Sequence, residues 1–418
     1  MSEIRKIQYI CFFRISKLTY SIDNKIIDMK KIKKIALRLT LVFFVLYALI
    51  THFLPSILDK KFNPVIQKPP YIVSQEAQQL TDTLDFIADL HCDALLWKRD
   101  LLKNNKFGEV DIPRMIQSNV TLQAFTIVSK VPKNINFDKN TADTDALTLP
   151  FILEGRPIKS WFNLTQRALV QCKALKEFSE KSDGSFYVIT SKSDLQNFIN
   201  KRKTNKYIAA GYLGIEGMHA LSGDLRNVDV LYDAGVRMMA PVHFFDNKLG
   251  GSAHGVSHGG LTDFGKQIIK KMQSKNMIVD VAHSSEKMLD DILAITTKPI
   301  LSSHTGVKGM YNNVRNLSDK HLIGIANIGG IVGIAFFDKA IGKADAQHIA
   351  QAIQYTVNLI GAEHVALGSD FDGSITAPFD VTGMSLIVDE LLKLNFTPAQ
   401  ISLVMGGNVK RFLFENLP

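Results

Sequence analysis

The alternation of apolar and polar positions divides the chain into two unlike parts. Residues 39–58 are 20 positions without Asp, Glu, Lys or Arg, and their centre, L-T-L-V-F-F-V-L-Y-A-L-I, is apolar on every helical face. As a helix this run is about 30 Å long, the thickness of a bilayer's hydrocarbon core. Beyond about residue 75 the pattern changes to short apolar runs of β type, at 84–90, 120–128, 207–215, 236–242, 277–282, 299–303, 330–337 and 364–369. Between most of them, 225–234, 263–275, 285–295 and 344–360 repeat apolar residues at three- and four-residue spacing, which predicts amphipathic helices. Thr397-Pro398 predicts an N-cap and a first helical position, opening a last helix that runs to about Glu415. Strands alternating with helices predict a parallel sheet, and near-continuous apolar strands predict one buried on both faces. Eight such units predict an α/β fold, a (β/α)8 TIM-type barrel. A doubly wound open sheet is the alternative; no G-x-G-x-x-G follows the first strand, which weakens its dinucleotide-binding form.

Charge changes the picture only at the N-terminal end. The formal net charge is +9, yet residues 1–61 hold 12 Lys+Arg against 4 Asp+Glu, and the rest hold 37 against 36. The body therefore has no basic footprint, and no nucleic acid partner is expected. Lys30, Lys31, Lys33, Lys34 and Arg38 stand just before the apolar run, which predicts a transmembrane signal anchor with a cytoplasmic N-terminus. A cleaved signal peptide is the main rival, but no A-x-A site follows the run; a buried core helix is the other alternative. The expected organisation is a basic cytoplasmic leader at 1–34, the anchor at 35–58, a linker at 59–74 containing Pro64, Pro69 and Pro70, and a catalytic domain at 75–418 on the non-cytoplasmic side. M-K-K-I-K-K from Met29 reads like a natural start, so residues 1–28 are expected to be a start-site artefact. Cys11, Cys92 and Cys172 form neither a disulfide framework nor a zinc-ribbon spacing.

The chemistry stands where the apolar runs stop. Six of the eight end at a His, Glu or Asp: at His91-Cys92-Asp93, Glu216, His243, His283, His304 and Asp370. In a barrel all C-terminal strand ends meet at one rim, where active sites sit. His91 and Asp93 are two apart at a strand end, so both point the same way and can clasp one cation. Glu216 can bridge two cations through its two oxygens, and His283 and His304 can hold the second. Imidazole and carboxylate ligands without thiolate favour zinc, with manganese or cobalt as alternatives. Two such ions about 3.5–4 Å apart can share a hydroxide and polarise a carbonyl. Cys92 points to the other face and reads as packing. His254 and His258, in G-G-S-A-H-G-V-S-H-G-G, read as a flexible rim loop near substrate rather than a third metal site. His219 either supports Glu216 or packs. Asp280 reads as a buried hydrogen-bonding group, and Ser284-Ser285 as a helix cap, since no G-x-S-x-G elbow surrounds them.

These residues lie in motifs that resemble the membrane or renal dipeptidases, peptidase family M19. The motifs are D-L-H-C-D-A-L-L-W (89–97), G-I-E-G-M-H (214–219), R-M-M-A-P-V-H (237–243), V-D-V-A-H-S-S (279–285), L-S-S-H-T-G-V (301–307), N-N-V-R-N-L-S-D (312–319) and G-S-D-F-D-G (368–373). They occur in family order over about residues 75–418. The resemblance implies a (β/α)8 metallohydrolase with two zinc ions, His91 and Asp93 on one, His283 and His304 on the other, and Glu216 as the bridge. It implies that a metal-bridging hydroxide attacks the peptide bond of dipeptides, L–L and with a D residue tolerated at the C-terminal side; some members also open β-lactam rings. His243 then polarises the carbonyl and steadies the tetrahedral intermediate, Arg315 grips the substrate carboxylate, and Asp370 relays the proton to the leaving amine. Cys92 stands where the family often has Asn. Animal members carry a C-terminal lipid-anchor signal, whereas this chain has an N-terminal anchor, which suggests a bacterial-type membrane or exported enzyme. The loops 135–161 and 246–260 are the least transferable part. A homodimer is compatible with the sequence. The rival readings are another binuclear hydrolase on this scaffold, acting on an N-acyl amino acid or a lactone or β-lactam, and a non-enzymatic binding protein, which would be expected to lack ligands.

Overall fold

Nine strands, all paired in parallel among the described residues, build one sheet. They are β1 (Ile87–Cys92), β2 (Val120–Phe125), β3 (Phe186–Val188), β4 (Ala209–Glu216), β5 (Val236–Ala240), β6 (Ile278–Val279), β7 (Leu301–Thr305), β8 (Ile331–Ile334) and β9 (Val365–Leu367). Their order is β6-β5-β4-β2-β1-β9-β8-β7. A parallel bridge between Asp280 and Leu301, with the Val281 N–H donating to the Leu301 carbonyl at 2.8 Å, links the two ends of that order. Eight strands thus curl into a barrel of TIM type, and each of the eight predicted runs supplies one. β3 is an extra strand of three residues outside the ring, paired to β4; it is too short to leave a periodic signal.

β1, β2 and β4 are buried along their whole length, as a parallel sheet covered by helices requires. Helices follow the strands near the predicted positions: Asn227–Asp233, Asp263–Ser274, Glu286–Ile295 and Ala346–Ile360. Ser285 caps the third of these, its Oγ accepting the Met288 N–H at 3.0 Å. The last helix departs from expectation. Thr397 and Gln400 form a reciprocal capping box, but Pro398–Ser402 passes into a π turn at Leu403–Gly407 before Asn408–Asn416 resumes. Gly406 lies directly against the Phe86 and Ala88 backbone, where no Cβ fits, so the break lets this helix close on β1.

This computed structural model describes residues 3–418, and the chain divides into two units at Leu54/Pro55, inside the first helix, Glu3–Phe62. In the first unit, Leu39, Val42, Phe43 and Leu46 of the apolar run are exposed. That does not suit a helix packed in a protein core. The helix is long and apolar enough to cross a membrane. The second unit begins at Pro55, so residues 59–67 are not free chain. Asp59 and Asn63 are buried, the Ile66 and Gln67 N–H groups donate at 2.9 Å to the carbonyls of Ala377 and Pro378, and the Ala377 N–H donates to Pro64 at 3.0 Å.

Candidate active site

The C-terminal strand ends carry the donors, but not all at the strand itself. β1 holds His91 at its penultimate position and Asp93 just past its end, Glu216 is the last residue of β4, and His304 lies in β7. His243 and His283 lie three and four residues beyond β5 and β6, and Asp370 three beyond β9. His283 and Asp370 adopt left-handed backbone, φ 62° and 64°. Such backbone is uncommon for L-residues and clusters at functional sites.

These seven side chains meet in one buried cluster centred on Glu216. Its Oε1 stands 2.8 Å from His283 Nε2, 3.5 Å from His304 Nε2 and 3.5 Å from His91 Nε2. Its Oε2 stands 3.1 Å from His243 Nε2. His91 Nε2 is also 3.7 Å from Asp93 Oδ1 and 3.9 Å from Asp370 Oδ1, while the Nε2 atoms of His283 and His304 approach to 3.1 Å. The ring of His91 is turned by Ser303, whose Oγ lies 2.9 Å from His91 Nδ1 and 3.0 Å from His304 Nδ1. One hydroxyl thereby aims two Nε2 atoms at the same carboxylate. Asp280 accepts the Ser303 N–H at 2.9 Å and the Ala282 N–H at 3.0 Å, the structural role expected of it. Thr126 donates to Asp93 Oδ1 at 2.6 Å. Such outer partners fix the orientation of ligating groups.

The cluster fits divalent metal. His91 Nε2, His243 Nδ1 and His283 Nδ1 are buried without a hydrogen-bond partner, which is costly unless something else satisfies them. Burial, joined by the Arg315 charge, holds His91 and His283 well below the usual imidazole pKa. Burial holds His243 and His304 there too, with neighbouring histidines adding to it. All four are therefore neutral, with lone pairs free to ligate. The carboxyls move the other way. Burial pushes Asp93 up to about 7, and burial together with the Asp93 charge raises Glu216 and Asp370 well above the carboxylate range. A cation at the centre would reverse that shift, because nearby positive charge favours the ionised form. Three overlapping donor groups converge within it: His91, Glu216 and His304; Glu216, His243 and His283; and His91, Asp93 and Asp370.

The cluster opens on a cavity of about 440 Å³ whose lining includes Asp93, Glu216, His243, His283, Asp370 and Arg315. Arg315 is buried; its Nη2 donates to the His304 carbonyl at 2.6 Å, while Nε and Nη1 have no partner. The glycine-rich loop differs from the flexible rim expected of it. Asp246 pins it, accepting N–H groups from Ser252 at 2.8 Å, Val256 at 2.9 Å and Ser257 at 2.7 Å. His254 is wholly buried in the cavity wall, bonded through Nδ1 to the Phe137 carbonyl with its ring centroid 5.2 Å from His283, whereas His258 is exposed. His219 makes no bond to Glu216; both its nitrogens lack partners and its ring packs on Phe245 at 4.9 Å. Cys92 belongs to the hydrophobic core, as read. Sequence reasoning missed Ser303 and Thr126. Ser303 directly precedes His304, a signal that could have been used; Thr126 reaches Asp93 from just past the end of β2 and left none.

A family model described as Membrane dipeptidase (Peptidase family M19) matches residues 74–416. An uncharacterized protein in the pqqA 5′ region of Klebsiella pneumoniae is 31% identical over 259 residues, 58% of this chain and 93% of that protein. An uncharacterized dipeptidase of Schizosaccharomyces pombe is 28% identical over 322 residues, 74% of this chain and 72% of its own. Among solved structures, a metallopeptidase of Rhodobacter sphaeroides, liganded with a phosphinate mimic of the dipeptide L-Ala-D-Ala, superposes with a TM-score of 0.64 at 20% identity, over 79% of this chain and 99% of that one. At that identity the likeness is one of fold.

Proposed function

This chain belongs to the membrane dipeptidases, peptidase family M19, and from that premise we propose that it hydrolyses the peptide bond of L–L and L–D dipeptides with two zinc ions. His91, Asp93, Glu216, His283 and His304 would hold the ions, which when bound would supply Lewis acidity to lower the pKa of an attacking water and polarise the scissile carbonyl. Every other part of the reaction falls to the chain. Asp370 takes the proton released by the attacking water and returns it to the departing amine, so that amide and water leave as a carboxylate and an amine. His243 donates a hydrogen bond to the carbonyl oxygen as charge develops there. Arg315 clamps the substrate's C-terminal carboxylate.

The observation that carries this reading is Arg315. A buried guanidinium with two unpartnered nitrogens, in the same small cavity as the donor cluster, calls for an anionic partner. In an assay, Arg315→Met should lose activity on free dipeptides and lose little on a C-terminally amidated analogue. Equal relative losses on both would reject the clamp.

The lysines before the apolar run support an anchor with its N-terminus in the cytoplasm and the catalytic unit on the other side. The protein should stay in the membrane fraction through a high-salt wash; release by salt alone would reject the anchor.

One observation favours a second substrate class, N-acyl amino acids. An apolar chamber of about 880 Å³, lined by Leu58, Phe62, Trp97 and Leu147 among others, shares Leu96, Val131, Ile135 and Ser374 with the wall of the catalytic cavity. An acyl chain would follow it, and kcat/KM on N-acyl alanines should then rise roughly threefold to fourfold per methylene. A flat series would exclude this class.

A further inference from the structure

A second group of buried charges lies two residues from Asp370. Asp372 is fully buried. Its Oδ1 accepts the Glu109 N–H at 2.8 Å and its Oδ2 the Val110 N–H at 3.2 Å. The Trp97 indole N–H donates to its carbonyl at 2.7 Å, and its own N–H donates to the Glu109 carboxyl. Arg99 Nη2 pairs with Asp372 Oδ2, while Arg99 Nη1 donates to Asp59 Oδ2 at 2.6 Å. From Asp59 the connection continues: Asn63 Nδ2 donates to Asp59 Oδ1 at 2.9 Å, and Asn63 Oδ1 accepts the Ser374 N–H at 3.1 Å. A parallel bridge between Val65 and Ala377 follows. The stem at 59–67 therefore grips the chain directly at Ser374, Ala377 and Pro378, and at Asp372 through Arg99.

What the stem grips is strained. Asp370, Asp372 and Ser374 have φ of 64°, 60° and 61°, and none is glycine. Left-handed L-residues in such a row persist only where surrounding contacts over-determine them. Asp370, Gly373, Ser374, Ile375 and Thr376 all line the catalytic cavity. Letting the turn relax would swing Asp370 and reshape that wall together.

We propose that Asp59, Asn63 and Arg99 are positioning residues that hold the strained 370–374 turn and thereby aim Asp370. The segment 59–67, which starts in the last turn of the first helix, is thus a working part of the catalytic unit rather than a tether. The inference rests on the proton-carrier role proposed above for Asp370.

The test uses the full-length protein with Asp59→Ala, Asn63→Ala and Asp59→Asn, and Asp370→Asn as control. The readouts are kcat and KM on L-Ala-L-Ala, metal content and thermal midpoint. Asp59→Ala and Asn63→Ala should keep their metals yet lose kcat by about 10- to 100-fold, the scale of a misplacement near 1 Å. KM should change less than kcat, because Arg315 is untouched while the wall at 373–376 shifts with the turn. Asp59→Asn keeps an acceptor for Arg99 but turns an N–H toward Asn63 Nδ2, so its kcat should fall between those of Asp59→Ala and the wild type. If Asp59→Ala does not fold, Asn63→Ala decides alone, since it leaves no buried charge unpaired. Wild-type kcat in the folded variants, or a loss that only follows the fraction folded, would overturn the proposal. An active Asp370→Asn would instead remove the proton carrier itself, a separate failure.

Discussion

Two buried charged clusters lie side by side in this barrel, and they are built on opposite terms. Around Glu216, polar atoms are left over: His91 Nε2, His243 Nδ1, His283 Nδ1 and two nitrogens of Arg315 have no partner. Around Asp372, almost every polar atom is used; only Arg99 Nε and one Glu109 oxygen lack a partner. Both are equally hidden from water, so burial does not separate them. Satisfaction does. A saturated cluster has no valence to offer a ligand and can only hold structure; an unsaturated one is costly unless a ligand completes it.

The comparison would break most visibly at Glu216. If that carboxylate completes the unsaturated cluster by touching both ions, Glu216→Ala should abolish dipeptide hydrolysis and release both metals. Elemental analysis showing two tightly held ions in that variant would reject the shared role. Next in size, Asp370→Asn should lower kcat by about 10²–10⁴-fold, the usual contribution of a general acid–base group, with metals retained. Asp372→Asn should cost less, through stability and the order of the 370–374 turn that Asp372 helps to hold. If steady-state kinetics show both variants near wild type, the two aspartates do not divide as described.

The saturated cluster makes its own prediction, in stability. Arg99→Met would leave Asp59 and Asp372 buried without their cation, a change worth about 3–5 kcal/mol for a buried pair. Urea unfolding reads it directly; a cost below about 1 kcal/mol would mean that both carboxylates find other partners. The smallest effect concerns His219, which belongs to neither cluster. Burial pushes its pKa down to about 3, with the Lys130 charge adding to it, against about 6.5 in the unfolded chain. The folded state therefore binds fewer protons than the unfolded one between those values. The stability this histidine contributes is present above pH 6.5 and falls away as pH drops toward 3. The slope approaches about 1.4 kcal/mol per unit for one proton. In unfolding measured at pH 4, 5 and 6, His219→Leu should flatten the dependence by that one proton; identical slopes would exclude it.

Much of this was legible before any coordinates. Apolar runs reported eight barrel strands, because a strand buried on both faces must be apolar throughout. The identity of the residue ending each run flagged all seven members of the Glu216 cluster, because a parallel barrel brings those ends to one rim. The sequence reads 59–74 as a linker, whereas residues 63–67 bond to the chain at 374–378. Its prolines are turn signals within a local window, while its partners, Ser374 and Ala377, lie more than 300 positions away. His254 and His258 look alike in a glycine-rich stretch; the Phe137 carbonyl on His254 and Asp246 on the loop backbone are what set the buried ring apart from the exposed one.

By itself, then, the sequence determined the apolar helix, the strand–helix alternation and the order in which donors arrive, because all three follow from local periodicity and from where it stops. Tertiary structure alone decided which nitrogens face Glu216, which charges are saturated and what holds the Asp370 turn. Those depend on contacts between residues far apart in the chain, each with several candidate partners, and only packing selects among them.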